Sequence, residues 1–107
     1  MRLQKAAMKI AIVGLGCIGS RHVENLLALG HHDLLGYDIN AKPHEERVLM
    51  VDDFDAVLQW KPDAAVICTP IREHAWAALH LRRAEAHVFV EKPLCLTARE
   101  AQTLCEV

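Results

Sequence analysis

The chain has 107 residues, enough for one domain with its own core and too few for two. Twelve Lys and Arg stand against fourteen Asp and Glu, a net charge of −2 without a basic patch, which argues against nucleic acid as a partner. No apolar run approaches the ~20 residues of a membrane-spanning helix, so no membrane partner is expected either.

Residues 1–7 lack the apolar stretch of a secretory signal and read as an extension ahead of a natural start at Met8, leaving 8–107 as the domain. In chain order, Lys9–Val13 reads as a buried parallel strand, and Gly14-Leu-Gly16-Cys-Ile-Gly19 follows it directly. Ser20–Leu29 is the first expected helix, stopped by Gly30, a residue at ease with positive φ. Asp33–Asp38 is the second strand. Residues 39–47 contain Pro43 and many charges, so at most a short helix precedes a third strand at Val48–Val51. That crossover is shorter than parallel strands usually require.

Phe54, Val57 and Leu58 share one face of a short helix ended by Pro62-Asp63, and Ala64–Thr69 is a continuous apolar run suited to a strand covered on both faces. A helix is expected over 73–84 with Ala75, Ala78 and Leu79 inward, then a fifth strand at His87–Glu91. Thr97-Ala-Arg-Glu100 is a capping box opening a last helix, with Ala98, Ala101, Leu104 and Cys105 on its buried side. Strands alternating with helices imply an α/β fold: a doubly wound parallel sheet of the Rossmann type, ordered 3-2-1-4-5. Its usual sixth strand has no sequence left to form it, so strand five should be an open edge prone to self-association.

The glycine run carries chemistry because of its setting. Gly14 leaves the strand in a tight turn, Gly16 lets a pyrophosphate approach the backbone, and Gly19 lets the helix pack on the sheet. The free N–H groups at the helix start, those of Cys17 and Ile18 among them, and the helix dipole both favour bound phosphate. Asp38 ends the second apolar run nineteen residues beyond Gly19, placed to accept the two hydroxyls of an adenosine ribose. Its carboxylate would repel a 2′-phosphate, and Ile39-Asn40-Ala41 brings no cation at once. NAD is therefore expected before NADP, with Lys42 and Arg47 near enough to keep both open.

Two further stretches, Cys68-Thr69-Pro70-Ile-Arg-Glu-His74 and His87-Val-Phe-Val-Glu91-Lys92-Pro93-Leu94, combine with the glycine run. Together they resemble the N-terminal domain of the Gfo/Idh/MocA oxidoreductases, which include glucose–fructose oxidoreductase and inositol 2-dehydrogenase. The resemblance runs from about Met8 to the end of the chain. It implies that Thr69, Pro70 and His74 lie along the nicotinamide half of the cofactor, and that the Glu91-Lys92-Pro93 loop lies beside the nicotinamide. It also implies that Lys92 is catalytic, reaching the reacting oxygen of a sugar or polyol substrate, while Glu91 holds the nicotinamide ribose or the lysine. Such an ammonium can stabilise a developing alkoxide.

The chain departs from the family's pattern at Ile71, where Asn is frequent, and at Glu85-Ala86, where a glycine commonly ends the helix. A second domain, which in the family binds substrate, is expected to be missing, so the fragment should bind cofactor and turn over nothing. The rival reading is a non-catalytic NAD-binding regulatory module or one subunit of a split enzyme. Other Rossmann dehydrogenases account less well for Thr-Pro together with Glu-Lys-Pro.

The remaining candidates have plainer readings. His74 at a helix start is equally well a cap or a packed side chain, and His22 reads as structural, bonded to a loop backbone. Trp60 and Trp76 read as packing or edge residues. Cys17, Cys68, Cys95 and Cys105 form no C-x-x-C pair, and the histidines show no ligand spacing; reduced thiols in a cytoplasmic protein without a metal site are expected.

Overall fold

A computed structural model describes residues 8–39, 48–92 and 95–107. Five four-residue strands form one parallel sheet: β1 (Ile10–Val13), β2 (Leu34–Tyr37), β3 (Val48–Val51), β4 (Ala64–Ile67) and β5 (His87–Val90). Their order is β3-β2-β1-β4-β5, as expected for a doubly wound sheet. β1 lies at its centre, with Ile10 beside Leu34 on one flank and Ala64 on the other. The third strand forms despite its short crossover, Val48 pairing with Leu34. Of residues 39–47, where at most a short helix was expected, 40–47 lie outside the described residues, as do residues 1–7 and the Pro93-Leu94 pair.

Alternation along β1 divides the core into two layers. Ile10 and Ile12 face α1 (Cys17–Ala28), meeting Val23 and Leu27. Ala11 and Val13 face the other side, where α2 (Phe54–Trp60) and α3 (His74–Arg83) bring Phe54, Val57, Ala78 and Leu81. All four residues of β1 are buried, which is why its sequence runs apolar without alternation. Lys9 precedes the strand, its ammonium 4.5 Å above the Trp60 ring, and Trp60 packs against the core as anticipated.

Three boundaries or faces differ from expectation. Helix α1 begins at Cys17, three residues before Ser20, because the second half of the glycine motif is itself its first turn; Ser20 N–H donates to Gly16 O at 2.9 Å. Helix α3 buries His74, Ala77, Ala78 and Leu81, while Ala75 and Leu79 are only half-buried. A 3₁₀ turn at Ile71–Glu73 delays the helix start, and the alanine-rich sequence offers a second apolar stripe that the sheet does not select. The last helix, α4 (Ala98–Cys105), has its capping box but no fully buried residue. It leans on α3 through Leu104, leaving Ala98 and Cys105 exposed.

The end of α3 shows what the missing glycine does. Glu85 N–H donates to Arg82 O at 2.9 Å and Ala86 N–H to Leu81 O at 3.0 Å, a Schellman arrangement that places Glu85 at φ 67°. The α1 terminus makes the same pair of bonds with Gly30 in that position, at φ 96°. Left-handed backbone costs a side-chain-bearing residue about 1 kcal/mol. Glu85→Gly is therefore expected to stabilise the domain by up to about 1 kcal/mol, read as a higher urea midpoint at unchanged slope.

Candidate functional site

The carboxyl ends of β1, β2 and β4 open onto one cleft of about 520 Å³. Its floor is the turn Gly14–Gly16, its β2 wall is Tyr37, Asp38 and Ile39, and its β4 wall is Cys68, Thr69 and Pro70. Arg72, Glu73, Trp76 and Ala77 complete the rim from the start of α3. Open α/β sheets bind ligands at this place, where the connections turn in opposite directions.

The glycines divide the work physically. Gly14 has φ 98°, and a Cβ there would stand 2.7 Å from the carbonyl carbon of Cys68. A Cβ on Gly19 would stand 1.9 Å from Gly14 O, so the helix touches the turn that precedes it. Around Gly16 no protein atom lies within 4 Å of such a Cβ. The first two are demanded by packing; the third leaves an approach open to something outside the chain. Helix α1 has Gly16 at its N-cap, without a side-chain cap or an acidic residue in its first turn. Its end is thus suited to an anion. Cys17 and Ile18 lie exposed on that first turn, outside the walls of the cleft.

Asp38 is half-buried and accepts the Leu15 N–H at 3.0 Å, which ties the end of β2 to the glycine turn. Tyr37 beside it packs edge-on against Phe54. Burial, then the carboxylates of Glu73, Asp38, Asp53 and Asp52, push its phenol pKa upward, so it remains a neutral hydroxyl at physiological pH. The Thr69 hydroxyl oxygen is buried without a hydrogen-bond partner among the described residues. Buried hydroxyls of this kind ordinarily have a hydrogen-bond partner.

His74 is 3% exposed, with Nε2 2.8 Å from Thr69 O. It is packed and holds the β4 loop by this bond. That loop shares one cleft with the glycine turn and Asp38. Glu91 is also committed: its Oε1 accepts from His22 Nε2 at 2.8 Å. His22 was expected to bond a backbone and instead bonds this carboxylate, 69 positions away in sequence. Lys92 is exposed where the chain leaves β5. Pro93 lies outside the described residues.

Leu15, Tyr37, Arg72 and Glu73 line the cleft without having been singled out by the sequence, and so does Trp76, which was read as a packing or edge residue. Trp76, 52% exposed, stacks at a tilt on Phe54 with centroids 4.6 Å apart. Its signal was its place in the first turn of a helix that starts at the carboxyl edge of the sheet.

Cys68 lies against the turn with its thiol pKa raised to about 11, first by burial and then by the Glu91 carboxylate. At pH 8, iodoacetamide is expected to label Cys17 and spare Cys68, a difference that peptide mass spectrometry resolves. A thiol that ionises less readily when folded adds stability fully present below the unfolded pKa near 9 and lost as pH rises toward about 11. Cys68→Ala should flatten that alkaline decline in urea titrations. Among the described residues, no group of three His, Cys, Asp or Glu could hold a metal ion, and no helix is long and apolar enough to cross a membrane.

A parallel sheet of this order, with a glycine turn opening the first helix and an acid ending the second strand, defines a dinucleotide-binding Rossmann domain. Residues 8–107 match the Gfo/Idh/MocA family, described as an oxidoreductase family with an NAD-binding Rossmann fold, and the chain belongs to it. Among curated relatives, the myo-inositol 2-dehydrogenase of Thermotoga maritima is 28% identical, over 92% of this chain and 32% of its own length. Among solved structures, UDP-N-acetylglucosamine 3-dehydrogenase from Acidithiobacillus ferrooxidans superposes with a TM-score of 0.81 at 30% identity, over 92% of this chain and 33% of that one. D-galactose-1-dehydrogenase from Rhizobium etli gives 0.78 at 26%, over 98% and 35%. The chain therefore spans about a third of the length of the relatives it matches.

Proposed function

We propose that this chain binds NAD along the carboxyl edge of its sheet, as the coenzyme-binding part of an oxidoreductase acting on a hydroxyl group of a sugar or polyol. The observation that carries the reading is one cleft uniting the open approach at Gly16, the uncapped start of α1 and the Asp38 carboxylate. These residues fit a nicotinamide dinucleotide. The amides of Cys17, Ile18 and Gly19 would receive the diphosphate, and Asp38 the adenosine ribose. Ile39 would flank the adenosine half, Thr69 and Pro70 would lie along the nicotinamide half, and the orphaned Thr69 hydroxyl would gain a partner.

When bound, the nicotinamide supplies a carbon that accepts or returns hydride. The chain's own part is positioning, exclusion of water and charge: Lys92, the proposed catalytic residue, would steady the reacting oxygen. The names of the relatives support the substrate class, being dehydrogenases of inositol, galactose and an amino-sugar nucleotide. Asp38 disfavours a 2′-phosphate, and Glu73 on the facing wall adds negative charge that Arg72 offsets, so the choice of NAD falls to Asp38.

Titration calorimetry with NAD and NADP tests this directly. Heat from NAD at micromolar to millimolar levels, and a weaker response to NADP, is the expected result; no heat from either refutes the reading. The β5 edge with its 56%-exposed Phe89 also makes self-association the expected behaviour. Light scattering should show mass rising with concentration.

A further inference from the structure

We infer that His22 is a positioning residue for the far half of the dinucleotide site: by holding the Glu91 carboxylate it fixes where Lys92 stands. The inference rests on the cofactor-binding reading above and extends it to a residue outside the cleft. The diphosphate site sits over β1 and Asp38 ends β2, so the adenosine half runs toward β2. The remaining half of a dinucleotide must then run the other way, over β4 toward the exit of β5, where Glu91 and Lys92 stand.

That exit is anchored twice. Glu91 N–H donates to Ile67 O at 3.1 Å, which continues the β4–β5 ladder by one residue. The Glu91 side chain is then held by His22 Nε2 at 2.8 Å, both side chains about a quarter exposed. The imidazole is itself wedged edge-on against Phe89, centroids 5.9 Å apart at 66°. His22 lies in the second turn of α1, the helix whose first turn faces the cleft. The bond thus links the phosphate-binding helix to the strand carrying the lysine. It is the only ion-pair geometry among the described residues, and it occupies the carboxylate that stands next to Lys92 in sequence. Lys92 is thereby left to act outward, from a backbone anchored at the residue before it.

Two readouts on the full chain separate this from general support of the fold. In the free protein, ¹⁵N relaxation should show the Lys92 amide ordered in the wild type, loosened in His22→Ala and restored in His22→Gln, whose amide can donate to the same carboxylate. In calorimetry, His22→Ala should weaken NAD by about three- to tenfold, because the loosened Glu91-Lys92 exit must then be ordered on binding, and leave ADP-ribose, which lacks the nicotinamide, unchanged. His22→Gln should recover NAD binding. An equally ordered Lys92 in His22→Ala, or equal weakening of both ligands, overturns the inference. Failure of both ligands to bind the wild type instead refutes the cofactor site itself, and the relaxation data then decide the His22–Glu91 anchor alone.

Discussion

Alanine at Gly19 is expected to remove a large part of the domain's stability, whereas alanine at Gly16 should leave the domain folded and weaken its binding of NAD. The asymmetry follows from what each new methyl would meet. At Gly19 it would stand 1.9 Å from Gly14 O, a backbone atom that cannot rotate away, so α1 must lift off the sheet or the turn must break. Overpacking of rigid atoms costs about 3 kcal/mol or more, against a total of about 5–15 kcal/mol for a domain. At Gly16 the methyl meets no protein atom within 4 Å, and the backbone there is ordinary extended chain at φ −73°. Its effect on stability should be below about 1 kcal/mol, the scale of an N-cap substitution. The same methyl would occupy the approach proposed for the diphosphate and weaken NAD at least about tenfold. Urea unfolding and calorimetry on both variants measure the two effects separately. A Gly16→Ala protein that binds NAD as tightly as the wild type would remove the glycine turn from the site.

The sheet was legible because its signals are local. Ile10–Val13, Leu34–Tyr37 and Ala64–Ile67 are short apolar runs bounded by turn residues, and the glycine run fixes which of them is central. The strain at Glu85 was foreseeable for the same reason, since a Schellman end needs one residue at positive φ whatever stands there. Helix faces were less legible. In His74–Arg83 alanines and leucines surround most of the helix, and the choice of His74, Ala77, Ala78 and Leu81 was made by the sheet. The stripe expected to be buried on α4 is only partly covered, because that helix meets α3 and leaves Ala98 and Cys105 exposed. The site divides likewise. Its glycines and Asp38 could be placed from spacing, because one βαβ unit contains them. Trp76, Arg72 and Glu73 enter only through the 3₁₀ turn at Ile71–Glu73, and His22 meets Glu91 only once β4 and α1 have brought β5 alongside.

Asp38→Ala should collapse the discrimination between NAD and NADP. The wild-type carboxylate would accept two hydroxyls from the adenosine ribose, and hydrogen bonds to a charged group contribute about 1.5–3 kcal/mol each. Part of that is offset by water that solvates the empty site, so a loss of about 10–100-fold in NAD affinity is expected. NADP has no such bonds to lose and gains relief from repulsion, bringing the two affinities together. The substitution has a second consequence, because Asp38 also accepts the Leu15 N–H at 3.0 Å. Alanine removes that tie from the glycine turn, a loss that falls on both coenzymes alike and leaves their ratio to the charge. Asp38→Asn isolates the charge: its carbonyl oxygen can keep the Leu15 bond while the repulsion of a 2′-phosphate disappears. Asparagine should therefore retain wild-type stability in urea and lose most of the preference, with alanine losing both. If all three proteins prefer NAD over NADP by the same factor, Asp38 only braces the turn and the ribose is held elsewhere.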